Sequence, residues 1–388
     1  MDDIQKALVY VDSDDTLKEI CCILDKCSEQ DFIAVDTEFT RNRTFFPILN
    51  LIQLAFGSRV YLIDPQSGIS LEPFFRSFAF TQANVLLFSA REDLETLHYE
   101  AGKFAPAKTL PCHCIDLQLL LAFLKQSYMK GLQSTIEEYL GITLNKDQTR
   151  SDWSIRPLSE EQILYACNDV AYLEDLYLKI MDAVTVEDEQ RSRWFKREMQ
   201  LFTAHVQEEI KPSELYKNIS GAGSLSPREL NVLKILCEKR YEYAFEHDES
   251  LNRVITSRAL CLIAKQPFLN FKVLDSCNMK SGAIRSHGKT VIKWFNEAQT
   301  AVCDEHIEKP YDYYGVRKQY ADSYRKLKHV LSSKAAEHGL CPELLCSKSM
   351  MNNFFYCSER EQIPLLQTDW YLECIGSLSY QDFKPADS

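Results

Sequence analysis

The sequence predicts an α/β domain built on a mixed β-sheet, followed by a wholly helical region. Three observations lead to this reading. In the first half, short apolar runs alternate with helix-length amphipathic stretches. Two of those runs are separated only by Gly57-Ser58, which makes them a hairpin, so the sheet opens antiparallel. Beyond Pro212 the strand-like runs give way to helix-start signals and helical spacing.

In chain order, residues 7–11 read as an approach strand and 15–27 as a helix. Residues 32–38 begin with four apolar side chains and read as a buried strand. Residues 47–56 and 59–63 are the hairpin arms, and a helix near 70–79 precedes a strand at 84–88. Ser89-Ala90-Arg91-Glu92 has the Ser-x-x-Glu form of a capping box, so a helix starts directly behind that strand. Residues 113–116 form a short strand leading into a helix over 117–125, which Asp116 caps. Residues 131–140 give another helix, ended by Gly141. Ser159-Glu160-Glu161-Gln162 is a second capping box. The helix it opens carries Tyr165 and Asp169 four residues apart, hence on one face, continued by Tyr172. Ile163, Leu164, Ala166, Val170 and Leu173 form the face that packs inward.

A chain of 388 residues suits two or three domains, and 45% hydrophobic with 26% charged residues is ordinary globular composition. No uninterrupted apolar run reaches the roughly 18 residues of a membrane span. The acidic start, Met1-Asp2-Asp3-Ile4, lacks an apolar signal core. The 14 cysteines follow no framework spacing, which predicts reduced, mostly buried thiols and a cytoplasmic setting. Cys112-His113-Cys114 has no matching ligand pair and is not read as a zinc site. The net charge of −12 weighs against nucleic acid, but it hides an asymmetry. Residues 211–300 hold 14 Lys and Arg against 9 Asp and Glu, a net of +5, which leaves −17 for the remainder. An acidic body with a basic segment fits a metal-dependent catalytic domain joined to a phosphate-binding module.

The chemistry concentrates in four acids. Asp36 and Glu38 are alternate residues of a strand, so both face one side. Two like charges so close repel unless a cation lies between them. Asp93 follows a strand end in the first turn of a helix, and Asp169 lies on the helix opened by Ser159. Oxygen ligands suit Mg²⁺ or Mn²⁺ rather than zinc. Four carboxylates can hold two such ions roughly 3.5–4 Å apart, the arrangement for in-line attack on a phosphodiester. Tyr165, one turn before Asp169, would orient the attacking water; at a reference pKa of about 10 it is a poor base.

On these residues the sequence resembles the ribonuclease D family, in the DEDD exonuclease superfamily with tyrosine in the third motif. The first motif stands as Val35-Asp36-Thr37-Glu38-Phe39, followed by Arg41, Arg43 and Pro47-x-Leu49-x-Leu51-Ile52-Gln53-Leu54. The second is Glu92-Asp93-Leu94-Glu95. The third is Tyr165-x-x-x-Asp169, preceded by Asp152-Trp153 and Arg156-Pro157-Leu158. The resemblance implies a ribonuclease H-like sheet flanked by helices, and hydrolysis from an RNA 3′ end to 5′-mononucleotides, with tRNA precursors as substrates. It implies that Asp36, Glu38, Asp93 and Asp169 ligate the metals and that Tyr165 positions the water. Where many bacterial members carry His-Ala-Gly before the second motif, this chain has Phe88-Ser89-Ala90. Near the site, Phe39 is a candidate to stack on a terminal base and Arg41 and Arg43 to meet phosphate. Gln53, inside a strand, reads as structural.

In the second half, a linker helix is expected through about 186–210, ending at Lys211-Pro212. Ser226-Pro227-Arg228-Glu229 is a strong helix start. Residues 280–289, with Gly282, Arg285, Gly288 and Lys289, read as a basic turn into a helix over 290–298, suited to phosphate. Val254, Ile255, Ser257, Arg258 and Leu260 match Leu344, Leu345, Ser347, Lys348 and Met350 at a constant offset, a weak internal repeat. Both copies resemble helicase-and-ribonuclease-D C-terminal (HRDC) domains, most closely at residues 284–290. The expected organisation is an exonuclease domain over 1–190, a linker helix over 191–215, a first HRDC domain over 216–302 and a second, diverged one over 303–388. The expected protein is a monomeric RNA enzyme. The competing readings are a DNA 3′→5′ exonuclease, which would share the four acids, and an inactive RNA-binding protein.

Overall fold

Apolar strands in the first 120 residues assemble a six-stranded sheet in the order β1-β4-β3-β2-β5-β6. The strands are β1 (Ala7–Val11), β2 (Phe32–Thr40), β3 (Ile48–Phe56), β4 (Arg59–Ile63), β5 (Asn84–Leu87) and β6 (Cys114–Asp116). β3 pairs antiparallel with both β2 and β4, and Gly57, at φ +56°, makes the hairpin turn. The pairs β1–β4, β2–β5 and β5–β6 are parallel, so the sheet is mixed, as the sequence predicts. From Leu49 to Ala55 every residue of β3 is buried, the mark of a central strand covered on both faces. The computed structural model describes residues 6–124, 130–144, 151–182, 184, 188–310 and 320–384.

The chain divides into two units: residues 1–40, 47–208 and 336–344, and residues 41–46, 209–335 and 345–388. In the first, helices α1 (Asp14–Lys26), α2 (Glu72–Phe80), α3 (Arg91–Gly102), α4 (Leu117–Leu124), α5 (Leu132–Leu140), α6 (Glu160–Ala171), α7 (Leu173–Asp182) and α8 (Glu189–Val206) surround the sheet. The last residue of the helix expected over 117–125 lies outside the described residues, as do 186 and 187 at the start of the expected linker helix. That helix is shorter than expected, ending at Val206, and a 3₁₀ turn, Pro212–Asn218, follows. Residues 336–344 complete this unit: Cys341 N–H donates to the Ala122 carbonyl (2.9 Å) and Arg191 to that of Gly339 (2.9 Å).

The second unit is helical: α9 (Pro227–Glu246), α10 (Leu251–Val254), α11 (Ser257–Ala264), α12 (Phe271–Ser276), α13 (Ser281–Thr300), α14 (Ala321–Glu337), α15 (Lys348–Glu359) and α16 (Asp369–Ile375). Ser226 and Glu229 close the expected capping box on α9. Leu230, Leu233 and Leu236 of α9 share a core with Val291 and Phe295 of α13. The run 280–289 is not a turn, because α13 begins at Ser281 and includes both glycines. Gly288 sits in the helix for lack of room: a Cβ there would come within 2.9 Å of the Phe271 ring. The repeated segments are locally alike, since Thr256 N-caps α11 and Ser347 N-caps α15. Residues 41–46 belong here too. The N–H groups of Phe45 and Phe46 donate to Asp248 Oδ1 (3.0 and 3.1 Å), and the Phe45 ring meets Tyr241 and Phe245 edge-on.

Candidate active site

The β2–β5 ladder ends at Ala34–Leu86, and β2 runs on to Thr40. Asp93 fills the space past the end of that ladder. Its Oδ1 accepts from the Thr37 N–H at 3.1 Å and the Thr37 hydroxyl at 2.6 Å. Thr37 points away from Asp36 and Glu38 by strand alternation, so one segment of β2 grips one acid and presents two others.

The start of the helix bearing Asp93 differs from expectation. Ser89 does not cap α3; it takes a left-handed φ of +60°, and the N-cap residue is Ala90 with no side-chain bond. The entering amides are satisfied from β6 instead, where the Asp116 carboxylate accepts from Ser89 and Ala90 N–H, both at 3.0 Å. Asp116 also caps α4, as expected, through the N–H of Gln118 (2.9 Å). One buried carboxylate therefore fixes two helix starts.

Asp169 comes from α6, whose capping box is complete: Ser159 and Gln162 each satisfy the other's backbone. The helix lies across β2, β3 and β4. It buries Ala166, Val170 and Asp169, whereas Ile163 and Leu164, expected to pack inward, are only half-buried. Asp36, Glu38 and Asp169 each offer a carboxylate oxygen within 4.8 Å of the others. Asp93 is committed to Thr37 through one oxygen and raises the pKa of all three. The structure thus brings the four predicted acids together, with Asp36 and Glu38 half-buried and Asp93 and Asp169 buried.

Among the described residues, their electrostatics are those of acids without a counter-charge. Burial raises Asp36 well above the carboxylate range, reinforced by Asp93, Asp169 and Glu38. Burial, then Asp169 and Asp93, push Glu38 up to about 9. Burial raises Asp169 to about 7, against the hydrogen bond from Tyr165. Burial raises Asp93 to about 6, against its bonds from Thr37. No Lys or Arg is among the main influences on any of them. Such a set of oxygen donors suits a hard divalent cation.

Tyr165 is placed by an element whose role the sequence did not reveal. The Trp153 ring lies 6.0 Å from that of Tyr165, and the Trp153 carbonyl is held by Arg156 (2.8 Å). Arg156 is itself anchored in a fork on Asp64 (2.7 and 2.8 Å) and on the Asn50 carbonyl (2.6 Å). The Asp-Trp-x-x-Arg run is therefore a clamp on the sheet beside the candidate water-orienting tyrosine. Of the other predicted residues, Phe39 is half-buried at a register shift in β2. Arg41 and Arg43 are exposed in the segment that belongs to the helical unit. Arg285 and Lys289 are exposed four residues apart on α13. These four basic residues belong to the helical unit and not to the unit that carries the acids.

Comparison with known proteins gives a consistent result. The 3′-5′ exonuclease family model matches residues 8–185. Ribonuclease D of Musicola paradisiaca is 30% identical over 370 residues, spanning 93% of this chain and 94% of that protein. Ribonuclease D of Escherichia coli is 31% identical over 367 residues, spanning 93% and 94%. The crystal structure of the Escherichia coli enzyme, described as an exoribonuclease involved in structured RNA processing, superposes with a TM-score of 0.79 over 95% of this chain and 96% of that one, at 30% identity. The catalytic core of RRP6 from Trypanosoma brucei shares the fold at 20% identity, with a TM-score of 0.58 over 77% of this chain and 81% of that one.

Proposed function

The chain belongs to the ribonuclease D family of 3′→5′ exoribonucleases, and on that premise we propose that Asp36, Glu38, Asp93 and Asp169 hold two divalent cations, Mg²⁺ or Mn²⁺, where RNA is hydrolysed from its 3′ end to 5′-mononucleotides. When bound, the cations supply an activated water and charge stabilisation at the leaving oxygen. Tyr165 holds that water by a hydrogen bond, and Trp153, clamped by Arg156, holds the tyrosine ring in place. Thr37 keeps Asp93 oriented toward the cluster. The observation that carries this reading is the set of four acids, each raised in pKa by burial and by its neighbours, with no basic partner among their main influences.

The substrates on this reading are RNAs with structured bodies and free 3′ ends, tRNA precursors among them; the role of the Escherichia coli homologue in structured RNA processing supports this. Phe39 stacks on the terminal base, and Arg41 and Arg43 meet phosphate. The helical region comprises two HRDC domains, 216–302 and 303–388, the first contacting RNA through Arg285 and Lys289. All 14 cysteines are free thiols, which supports a reducing, cytoplasmic setting. The protein acts as a monomer.

The test is a nuclease assay with Mg²⁺ on an RNA labelled at its 5′ end, beside the matching DNA. A descending RNA ladder that EDTA abolishes is expected. Equal degradation of DNA would point to a broader nuclease, and tight binding without cleavage would overturn the enzymatic reading.

A further inference from the structure

We propose that Gln53 is a positioning residue for the acid cluster: once a divalent cation is bound, its side-chain amide N–H donates to the Asp36 carboxylate and fixes its orientation on that cation. The inference rests on the reading of that cluster as a metal site.

Gln53 lies midway along β3 with no exposed surface. Its amide nitrogen and its amide oxygen are both buried without a hydrogen-bond partner among the described residues. Such a group is destabilising, and a leucine or methionine would fill the same place in a central strand without that penalty. The polar residue therefore calls for an explanation in function.

Register supplies it. Gln53 is directly opposite Asp36 in the antiparallel β2–β3 pair. Opposed residues of such a pair point to the same face, with Cβ atoms about 4.5–5.5 Å apart. The face is the one that matters: Asp169, from α6, reaches within 4.8 Å of Asp36 and Glu38 there, and α6 covers both β2 and β3. Gln53 is thus an unspent donor beside an acid of that cluster. A carboxylate that gives one oxygen to a cation has its second oxygen left to satisfy. The Gln53 amide is the neutral donor placed to do so, adding no charge that would compete with the cation. Groups that orient a metal ligand in this way are typically worth about 10- to 100-fold in metal affinity.

The test uses the full chain and Mn²⁺ alone, titrated at neutral pH and followed by the electron paramagnetic resonance of free Mn²⁺, for the wild type, Gln53→Met and Gln53→Leu. Thermal unfolding in EDTA is measured in parallel. The expected result is Mn²⁺ binding weakened about 10-fold or more in both variants, with an unfolding temperature in EDTA equal to or above wild type, because the unpaired amide is gone. A merely structural glutamine would leave Mn²⁺ affinity where it was, and wild-type affinity in whichever variant folds overturns the proposal. If the wild type binds Mn²⁺ and the variants bind it equally, only the role of Gln53 fails. If the wild type binds no Mn²⁺, the metal-site reading fails with it.

Discussion

Asp64 and the acids around Asp36, all in the unit built on the sheet, behave in opposite ways. Asp64, just past β4, is 4% exposed; Asp93 and Asp169 are 8% exposed. Burial would raise Asp64 too, but the Arg156 guanidinium and the Tyr10 hydroxyl (2.6 Å) outweigh it and hold the carboxyl below its ordinary range. Among the described residues the cluster around Asp36 has no cation among its main influences and is raised throughout, the bonds from Tyr165 and Thr37 being outweighed by burial. A guanidinium partner on one side and none among the described residues on the other separates a carboxylate that locks the fold from carboxylates suited to an added cation. Buried acids that the protein leaves uncompensated are where a functional reading is strongest.

The largest effect that tests this contrast is catalytic. Asp36→Asn is expected to reduce RNA hydrolysis by roughly 10³-fold or more, at least the loss caused by removing one transition-state donor. The same change relieves repulsion, so the unfolding temperature in EDTA is not expected to fall. If that variant degrades RNA at the wild-type rate, the site assignment is wrong. Arg156→Met is the counterpart on the structural side. It leaves Asp64 buried beside no cation and is expected to cost about 3–5 kcal/mol, read from urea unfolding. A destabilisation below about 1 kcal/mol would mean that Asp64 is not locked by Arg156.

The two groups also give opposite pH signs. Glu38, Asp169 and Asp93, raised to about 9, 7 and 6, favour the folded state when protonated. Their contribution is fully present below their ordinary values near 4 and is lost as pH climbs through those raised values. Asp64, lowered, contributes above its ordinary value and loses that contribution as pH falls through its folded value. Unfolding temperature in EDTA should therefore decline on the alkaline side, and Mn²⁺ should flatten that decline while leaving the acid side unchanged. An alkaline side indifferent to Mn²⁺ would break the contrast. The smallest effect belongs to the helical unit. Removing Arg285 or Lys289 is expected to weaken RNA binding and to reduce the slope of log affinity against log salt by about 0.7 for each phosphate no longer neutralised. An unchanged slope would exclude both from the RNA path.

Much of this was legible in the sequence because it depended on local rules. Alternation put Asp36 and Glu38 on one side, Gly57-Ser58 made the hairpin, and Ser159-x-x-Gln162 opened α6 as read. The misreadings share a cause, which is that distant residues decide local structure. Ser89 looked like a helix cap, but the Asp116 carboxylate takes the Ser89 and Ala90 N–H groups and the N-cap falls one residue later, at Ala90. Gly288 looked like a turn, but Phe271 needs the room inside a helix. The grip of Thr37 on Asp93 depends on where the β2–β5 ladder stops, and no motif carries that. Residues 41–46 follow the strand that carries Asp36 and Glu38, yet Asp248, some 200 positions later, holds the backbone of Phe45 and Phe46.

The Asp36 cluster is proposed to be a divalent-metal site. The most direct measurement is anomalous diffraction from crystals of the full chain soaked in Mn²⁺. Peaks are expected among the carboxylates of Asp36, Glu38, Asp93 and Asp169, abolished in Asp36→Asn. No peak there at a Mn²⁺ concentration that supports RNA cleavage, or Mn²⁺ bound only elsewhere, would contradict it.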